Sequence, residues 1–285
     1  MRKYLILAVA LAALLAAAPA LAITGGQEDA GNDFDNVALL VFFEVDDEET
    51  LTATWRCTGT LVTPEVIVTA GHCTVGAAYS FATFDQTVSP DWNAAQFDNP
   101  DGSFNRQAWF DHVEANYLSG VGRTSHENYD DFWPEFPQTY DVGVVELDEP
   151  VTGVDPATIG TLPDEIDTSR GKNGYPEFTS GGYGVQSIVP RYKADWVRWY
   201  STGALVNLRS ANTSGYSVQL TGNPGARFAE STGGTCFGDS GGPLFFEGEL
   251  VGVTSFGLNG NCVGPGFSYL VGTGAAWDWL EDYVN

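Results

Sequence analysis

Short runs of apolar and β-branched residues recur along the chain, separated by clusters of Gly, Asn, Asp and Pro. Runs of this length between turn residues are typical of the strands of β-sandwiches and β-barrels. The pattern therefore predicts an all-β protein. The predicted strands are Val37–Val45, Thr58–Val62, Val66–Ala70, Val142–Leu147, Gly203–Leu208, Gly215–Leu220, Pro243–Phe246, Leu250–Phe256 and Gly266–Val271.

Two other segments do not follow this pattern of short apolar runs. Near the C-terminal end, Ala276, Leu280 and Tyr283 recur with the i, i+4, i+7 spacing of a helix, the only helix that the pattern indicates. Residues 85–139 are rich in Asn, Asp and aromatic residues, and we expect a long surface loop there. Within it, Asp98–Gly102 is predicted to be a plain turn, because it lacks the ligand spacing and terminal Glu of a calcium-binding EF-hand.

The first residues have the layout of a secretory signal. Met1–Tyr4 carry positive charge, an Ala/Leu-rich run follows, and Ala20 and Ala22 stand where a signal peptidase reads small residues. The run is short for a membrane anchor. We expect removal of residues 1–22 and a secreted product, extracellular or periplasmic, that is not attached to a membrane. Cleavage after Ala20 is the alternative that the sequence leaves open.

Composition narrows the class of protein further. An apolar content of 43% is sufficient for a packed core, so residues 23–285 are expected to form one all-β unit. The net charge of −25 argues against nucleic acid or anionic membranes as partners. The four cysteines can form disulfides after export, with three possible connectivities. No pair has C-x-x-C spacing, so no metal site is expected.

Three segments carry the candidate chemistry. Ser240 stands in the glycine-flanked turn 236–243, His72 follows an apolar run in a tight Gly turn, and Asp141 opens the run 142–147. A serine hydroxyl needs a base to take its proton, and histidine has a suitable pKa. A buried carboxylate would fix the imidazole tautomer and stabilise the cation that forms. These residues predict a nucleophile, a general base and an orienting acid.

The other histidines and the other hydrolase folds fit less well. His112 and His126 are predicted to be surface or packing residues. The segment around Ser240 also satisfies the G-x-S-x-G motif of α/β-hydrolases, but that fold places its histidine after the serine, and none follows here. The subtilisin order would need its acid upstream of His72, whereas Asp141 lies downstream of it.

The segments around His72, Asp141 and Ser240, in this order, resemble the chymotrypsin/trypsin-like serine peptidases. The resemblance covers nearly all of the chain after the leader. It implies two packed antiparallel six-stranded β-barrels with a C-terminal α-helix, the first barrel over about 23–150 and the second over about 175–285. The active site would lie in the cleft between them.

The resemblance also assigns further residues. It implies the disulfides Cys57–Cys73 and Cys236–Cys262, and an oxyanion hole formed by the backbone N–H groups of Gly238 and Ser240. Ser255 matches the family serine that hydrogen-bonds the acid, and its backbone and that of Gly257 match the edge that pairs with substrate. The implied substrate-binding residues are Gly234, Thr235, Ser255, Phe256, Gly257 and Gly266.

Gly234 stands where members that cut after Lys or Arg carry an aspartate. The pocket is therefore expected to prefer Phe, Tyr, Leu or Met, because burying a cation without a counter-charge is costly. Ile23–Gly26 resembles the start of the mature family enzymes, whose free ammonium pairs with the aspartate before the nucleophile, here Asp239. No room is left for the usual propeptide, so signal cleavage itself is expected to release Ile23 and activate the enzyme.

Together these features predict a secreted serine endopeptidase without cofactor or metal. The expected partners are polypeptide substrates and protein inhibitors of such peptidases, and the expected state is a monomer. Two alternatives remain open. One is an inactive or weakly active homologue used for binding, and the other is a small-ester hydrolase on the same fold.

Overall fold

The computed structural model describes residues 22–88, 94–163, 166, 175–223 and 231–285. The predicted leader lies outside these residues, apart from Ala22. Within the described ranges, every helix is too short or too polar to cross a membrane.

The first barrel contains six antiparallel strands that close into a ring in the order β2-β3-β4-β7-β6-β5. A two-residue strand, β1, precedes it. The bounds are β1 (Gln27–Glu28), β2 (Val37–Val45), β3 (Leu51–Thr63), β4 (Val66–Thr69), β5 (Tyr79–Thr83), β6 (Leu118–Ser125) and β7 (Gly143–Leu147).

Strand β2 is almost continuously apolar because both of its faces are buried. Leu40 and Phe42 lie in the core of the first barrel, whereas Leu39 and Phe43 belong to a second core shared with the rest of the molecule. Successive side chains of a strand point to opposite faces. The run Val37–Val45 therefore contributes to the core of the first barrel with one face and to its contact with the rest of the molecule with the other.

The second barrel closes through the pairing of β8 with β9, and β1 pairs with the outer edge of β9. Its core contains Phe178, Leu205 and Leu244. The two-barrel architecture predicted from the resemblance is confirmed. The bounds are β8 (Glu177–Gly182), β9 (Trp199–Asn207), β10 (Ser217–Leu220), β11 (Pro243–Phe246), β12 (Glu249–Gly257) and β13 (Gly266–Leu270).

The helices of the described residues are short. They are α1 (Gly71–Thr74), α2 (Arg106–Asn116) and α3 (Gly274–Val284), with a 3-10 helix at Ala94–Phe97 and a kinked turn at Ala22–Gly25. The predicted C-terminal helix is confirmed, and it buries Ala276 and Leu280 in the shared core.

Helix α2 corrects the prediction of a loop throughout 85–139. Asn105 caps it by accepting a hydrogen bond from the Ala108 amide at 3.1 Å, and Trp109 and Val113 are buried one turn apart. The remaining positions are mostly polar, so the apolar periodicity is too narrow to be recognised. Just before the helix, the Asn99–Ser103 turn is closed by the Ser103 carbonyl, which accepts from the Asn99 amide at 2.7 Å.

A buried cation joins the two barrels to the N-terminal segment. Arg198 is fully buried, and its Nε donates to Asp29 Oδ2 at 2.8 Å. Its Nη1 donates to the carbonyls of Val37 and Phe84 and to the Tyr183 hydroxyl at 3.0–3.1 Å. Removing one partner of a buried ion pair typically costs about 3–5 kcal/mol. This network therefore links the two barrels and the N-terminal segment to one another.

Candidate active site

His72 and Asp141 meet because they leave neighbouring strands at the same edge. His72 lies in α1 just after β4, Asp141 lies just before β7, and these strands pair with Thr69 opposite Gly143. His72 Nδ1 is 3.0 Å from Asp141 Oδ2 and 3.1 Å from Oδ1. The His72 amide also donates to Asp141 Oδ1 at 2.9 Å. One carboxylate thus fixes both the backbone and the ring of His72.

Ser255 completes the environment of the acid from the second barrel. Its Oγ donates to Asp141 Oδ2 at 2.5 Å, and Asp141 is fully buried. Burial alone would raise the pKa of Asp141, but the charge and hydrogen bonds of His72 and the bond from Ser255 keep it below its ordinary value. A buried carboxylate held ionised in this way can orient a cationic imidazole.

The same pair shifts the pKa of His72 in the opposite direction. Burial of the ring acts to lower the pKa, but the Asp141 charge and hydrogen bond more than offset it, so the net shift is upward. The side chain keeps 23% of its surface exposed, so the ring remains open to a substrate. The other histidines pack against aromatic rings, His112 on Trp109 and His126 on Tyr140.

The Ser240 turn is held against the first barrel by Thr58. The Thr58 amide donates to the Ser240 carbonyl and its Oγ1 donates to the Gly238 carbonyl, both at 2.8 Å. Gly238 has φ 93°, and a Cβ there would lie 2.9 Å from Arg56 Nε, so both backbone and space require glycine. In the described part of the chain, the amides of Gly238 and Ser240 donate to no protein acceptor. Both amide donors are therefore unused within the described residues.

Ser240 and His72 line the same cavity of about 590 Å³. Among the hydrogen bonds of the described residues there is none between Ser240 Oγ and the His72 ring. Such contacts often tighten only when substrate is bound. The two side chains therefore border one cavity without a direct hydrogen bond between them.

The predicted substrate-binding residues all line this cavity: Gly234, Thr235, Ser255, Phe256, Gly257 and Gly266. A Cβ at Gly234 would lie 2.4 Å from the Gly222 Cα, so an aspartate cannot stand there without moving backbone. A Cβ at Gly257 would meet nothing within 4 Å, so this wall is open. The pocket is wide and lacks a carboxylate at the position of Gly234.

An aromatic wall from the long insertion was not predicted. Phe132 has its ring centroid 5.5 Å from that of His72 and 6.1 Å from that of Phe256. Its φ of 65° belongs to the left-handed region that non-glycine residues seldom adopt. The aromatic richness of residues 85–139 was visible in the sequence, but nothing in the sequence indicated which ring reaches the base.

Two disulfides fasten the loops of the site. They join Cys57 to Cys73 and Cys236 to Cys262, the pairing that the resemblance implied. The first ties α1 to β3, and the second ties the nucleophile turn to the far wall of the pocket. His72 lies close to the first pair of sulfurs, but these are bonded to each other and cannot ligate a metal as thiolates.

Asp239 is fully buried behind the nucleophile turn. Its carboxylate accepts from the amides of Cys236 and Gly184, both at 2.8 Å. Burial raises its pKa to about 7, although these amides and the charge of Arg56 act to lower it. The ion pairs of the described residues include no cation on this carboxylate. It is a buried acid without a full counter-charge.

The N-terminal segment lies beside Gly233 and Gly234, just before this turn. Ile23 is fully buried against Trp199 and Val197, and the Thr24 carbonyl accepts from the Gly234 amide at 3.1 Å. No hydrogen bond or ion pair of the described residues joins Ile23 to Asp239. In the complete chain the Ile23 nitrogen belongs to the peptide bond with Ala22 and carries no charge.

Comparison with known proteins agrees with this geometry. A model of the trypsin family, described as "Trypsin", matches residues 23–279. The chain belongs to the trypsin family. This confirms the resemblance inferred from the three motifs. Relatives include brachyurin from Leptuca pugilator, 29% identical over 84% of this chain and 88% of its own length, and chymotrypsin from Phaedon cochleariae, 25% identical over 94% and 81%.

Solved structures of trypsin-like enzymes share the fold. Neuropsin, a serine protease expressed in the limbic system of mouse brain, superposes with a TM-score of 0.61 at 19% identity, covering 91% of this chain and 99% of its own. HL collagenase gives 0.59 at 17% identity, covering 90% and 96%. At these identities the likeness extends to the fold alone.

We predict that His72 titrates above about 6.5, the pKa of a free imidazole, and that Asp141→Asn lowers the midpoint. Because the native pKa is raised, this group stabilises the fold fully below about 6.5 and less as pH rises through the native value. Asp141, with its lowered pKa, stabilises the fold above about pH 3.9 and loses this effect as pH falls through its native pKa.

Imidazole NMR signals, assigned with a His72→Gln variant, report the midpoint of the His72 titration. An unchanged midpoint in Asp141→Asn contradicts the pairing.

Proposed function

We propose that this protein is a secreted serine endopeptidase that works through Ser240, His72 and Asp141. The observation that carries the proposal is the pair of hydrogen bonds that the Asp141 carboxylate forms with His72 and Ser255. Both of these residues line the cavity that Ser240 also lines. Family membership supports the same reaction class.

In this mechanism Ser240 Oγ attacks the carbonyl carbon of the peptide bond while His72 Nε2 takes its proton. Asp141 stabilises the resulting imidazolium through Nδ1. The amides of Gly238 and Ser240 donate to the oxyanion, and loss of one such donor typically costs about 2.7–4 kcal/mol of transition-state stabilisation. His72 then protonates the leaving amine, and water hydrolyses the acyl-enzyme by the reverse sequence.

An extended substrate would pair with the end of β12. The backbone at Ser255–Gly257 borders the cavity, and Gly257 offers no side chain to obstruct an approaching chain. Adding a strand to a sheet edge is a common way to bind peptides. This edge favours an endopeptidase over a hydrolase of small esters, which needs only the acylation site.

The pocket supports a preference for bulky uncharged residues before the cleaved bond. Gly257 leaves space, and the tight contact of Gly234 with Gly222 excludes the acidic side chain that a Lys or Arg substrate would need at that position. The charge of −25 can attract cations at long range, but it supplies no partner inside the pocket. Phe, Tyr, Leu and Met are therefore the proposed residues.

Release of Ile23 during export is the proposed activation step. The buried Asp239 carboxylate, whose pKa is raised to about 7, forms no ion pair within the described residues. Thr24, next to Ile23, is hydrogen-bonded to Gly234, five residues before Asp239. A new ammonium at Ile23 would favour the ionised form of Asp239 and stabilise the Gly238–Ser240 turn. An uncleaved chain has no such charge and would remain poorly active.

The Ser240→Ala variant tests the reaction. We predict that it remains folded, loses several orders of magnitude of kcat on a peptide anilide, and no longer reacts with a fluorophosphonate probe. A wild type that hydrolyses a simple ester and not the anilide would favour the ester hydrolase. A folded wild type with neither activity nor labelling would favour the binding homologue. Labelling of Ser240→Ala contradicts the assignment of the nucleophile.

Substrate preference is tested with peptide anilides that differ only in the residue before the cleaved bond. We predict a higher kcat/KM for Phe than for Arg, because the described pocket residues give a buried guanidinium no counter-charge. Measurements at low and high salt separate long-range attraction from pocket recognition. A higher kcat/KM for Arg at high salt contradicts the proposed pocket.

N-terminal sequencing of the secreted active protein tests activation, and we predict Ile23 as its first residue. Asp239→Asn, or one extra residue before Ile23, should give a folded but poorly active protein, whereas the exposed Asp101→Asn serves as a control.

The proposed ion pair between the Ile23 ammonium and Asp239 should raise the α-amino pKa above its free value of about 7.7–8.0. Its stabilisation is then complete at lower pH and lost as pH rises through the raised value. Any other first residue contradicts the scheme.

A further inference from the structure

Arg56 differs from the other Lys and Arg side chains of the described residues. Arg198 and Lys193 form ion pairs, and Arg123 donates to backbone carbonyls. Three more are exposed to water: Arg106, Arg191 and Arg209. Arg56 is half-buried, yet within the described chain it forms neither an ion pair nor a hydrogen bond. A partly desolvated cation without a partner is unfavourable, so it is expected to bind an anion.

The guanidinium of Arg56 lies beside the nucleophile turn. A Cβ at Gly238 would be 2.9 Å from Arg56 Nε and 3.5 Å from its Cγ. The guanidinium carbon is also 4.6 Å from the centroid of the Trp196 ring. Of its three nitrogens, Nη1 is the one that is both fully buried and without a partner, so Nε and Nη2 keep some contact with solvent. The cation is thus held next to an oxyanion amide with one edge open to a ligand.

The acid nearest in charge, Asp239, does not satisfy Arg56. Burial lowers the pKa of Arg56, and the nearby Tyr192 and Asp239 offset this only in part. Gly184 packs against both Gly238 and the Asp239 carboxylate, since a Cβ at Gly184 would lie 2.5 Å from each carboxylate oxygen. The described residues include no ion pair between this carboxylate and Arg56. A guanidinium stays protonated at neutral pH, so an outside anion can still bind it.

Arg56 lies on the side of the turn that faces the first barrel. Thr58 of β3 and Thr254 of β12 both bond to the turn, which therefore lies between the two barrels. The chain before the cleaved bond is proposed to pair with β12, whereas Arg56 belongs to β3 and is not one of the residues that line the cavity. With the reacting carbonyl at the oxyanion amides, the chain after the bond would continue past Gly238 toward Arg56.

We propose that Arg56 binds the carboxylate of an acidic side chain in the substrate segment after the cleaved bond, within its first three residues. This rests on the proposed function. An extended chain advances about 3.3 Å per residue, so these are the residues that can reach a group beside Gly238. Guanidinium and carboxylate match in shape and charge and form paired hydrogen bonds. The preference is local, because the net charge of −25 repels acidic peptides at long range.

Quenched fluorescent peptides with one cleavable sequence and a C-terminal carboxamide test the proposal. Glu or Gln stands singly at the first, second or third position after the bond, so each pair differs in charge and hardly in shape. Measurements at high salt screen the general repulsion more than a half-buried contact. At one of these positions the wild type should cleave the Glu peptide with a kcat/KM about three- to tenfold higher, between the effects of exposed and buried ion pairs.

Variants of Arg56 show whether this cation is responsible. Arg56→Met keeps the apolar stem and should bring the Glu/Gln ratio to one or below, whereas Arg56→Lys keeps the charge and should retain part of the preference. Arg209→Met is the matched control, because it changes the net charge equally at an exposed position outside the cavity. It should leave the ratio unchanged. Because the ratio is taken within each variant, a general effect on the turn or on Asp239 cancels.

A binding measurement separates this proposal from the proposed catalysis. Full-chain Ser240→Ala protein is titrated with the same Glu and Gln peptides in a calorimeter. Tighter binding of a Glu peptide, lost on adding Arg56→Met and kept with Arg209→Met, supports the role of Arg56 even if the wild type cleaves nothing. A ratio of one or below at all three positions in an active wild type overturns it, as does equal or undetectable binding of both peptides.

A terminal carboxylate could supply the same chemistry as an acidic side chain. A further pair of peptides therefore carries Gln at the varied position and ends, directly after it, in either a free carboxylate or a carboxamide. A gain confined to the free carboxylate, with no gain from Glu, contradicts the assignment to a side chain. A Glu preference that survives Arg56→Met likewise overturns the proposal.

Discussion

The guanidinium of Arg198 is a charge removed from water, and its partners come from three different parts of the chain. Asp29 belongs to the N-terminal segment, the Val37 and Phe84 carbonyls to the first barrel, and Tyr183 to the start of the second. A buried charge of this kind is strongly unfavourable when a partner is missing. The barrels are therefore constrained to dock in the one arrangement that satisfies it, and the cleft depends on that arrangement.

The same requirement explains the two buried acids of the site. Asp141 is satisfied from both sides of the cleft, by His72 of the first barrel and Ser255 of the second. Asp239 has only amide donors at contact distance, and burial leaves its pKa raised to about 7. The first acid is fixed by the fold alone. The second has no cation within ion-pair distance among the described residues.

Local patterns were sufficient to predict much of the fold. Strand β2 was predicted with its observed bounds, because Val37–Val45 is apolar on both faces. Strand β6 was not, since Leu118–Ser125 contains Gly, Ser and Thr and is only partly buried. Helix α2 was missed because its apolar face is narrow, with Trp109 and Val113 as its buried residues. Weak local signals were resolved only by tertiary packing.

The site shows the same division between local and long-range information. His72, Asp141 and Ser240 lie in short motifs whose chemistry is recognisable from adjacent residues. Phe132 reaches His72 from an insertion whose path the sequence does not specify. Likewise, the pairing of Ser180 with Ser201 across the second barrel brings together residues distant in sequence that no local pattern relates. A hydroxyl in a strand is ordinary until its neighbours across the barrel are known.

The N-terminal segment connects these features physically. Thr24 accepts from the Gly234 amide, and its Oγ1 donates back to the Gly234 carbonyl at 3.2 Å. Gly234 in turn packs its Cα face against Gly222, where both residues line the substrate cavity. Any change that displaces this segment must also break these two bonds to the pocket wall. Because Ile23 belongs to the same short stretch of backbone as Thr24, the proposed release of Ile23 is expected to affect the order of the pocket wall at Gly234.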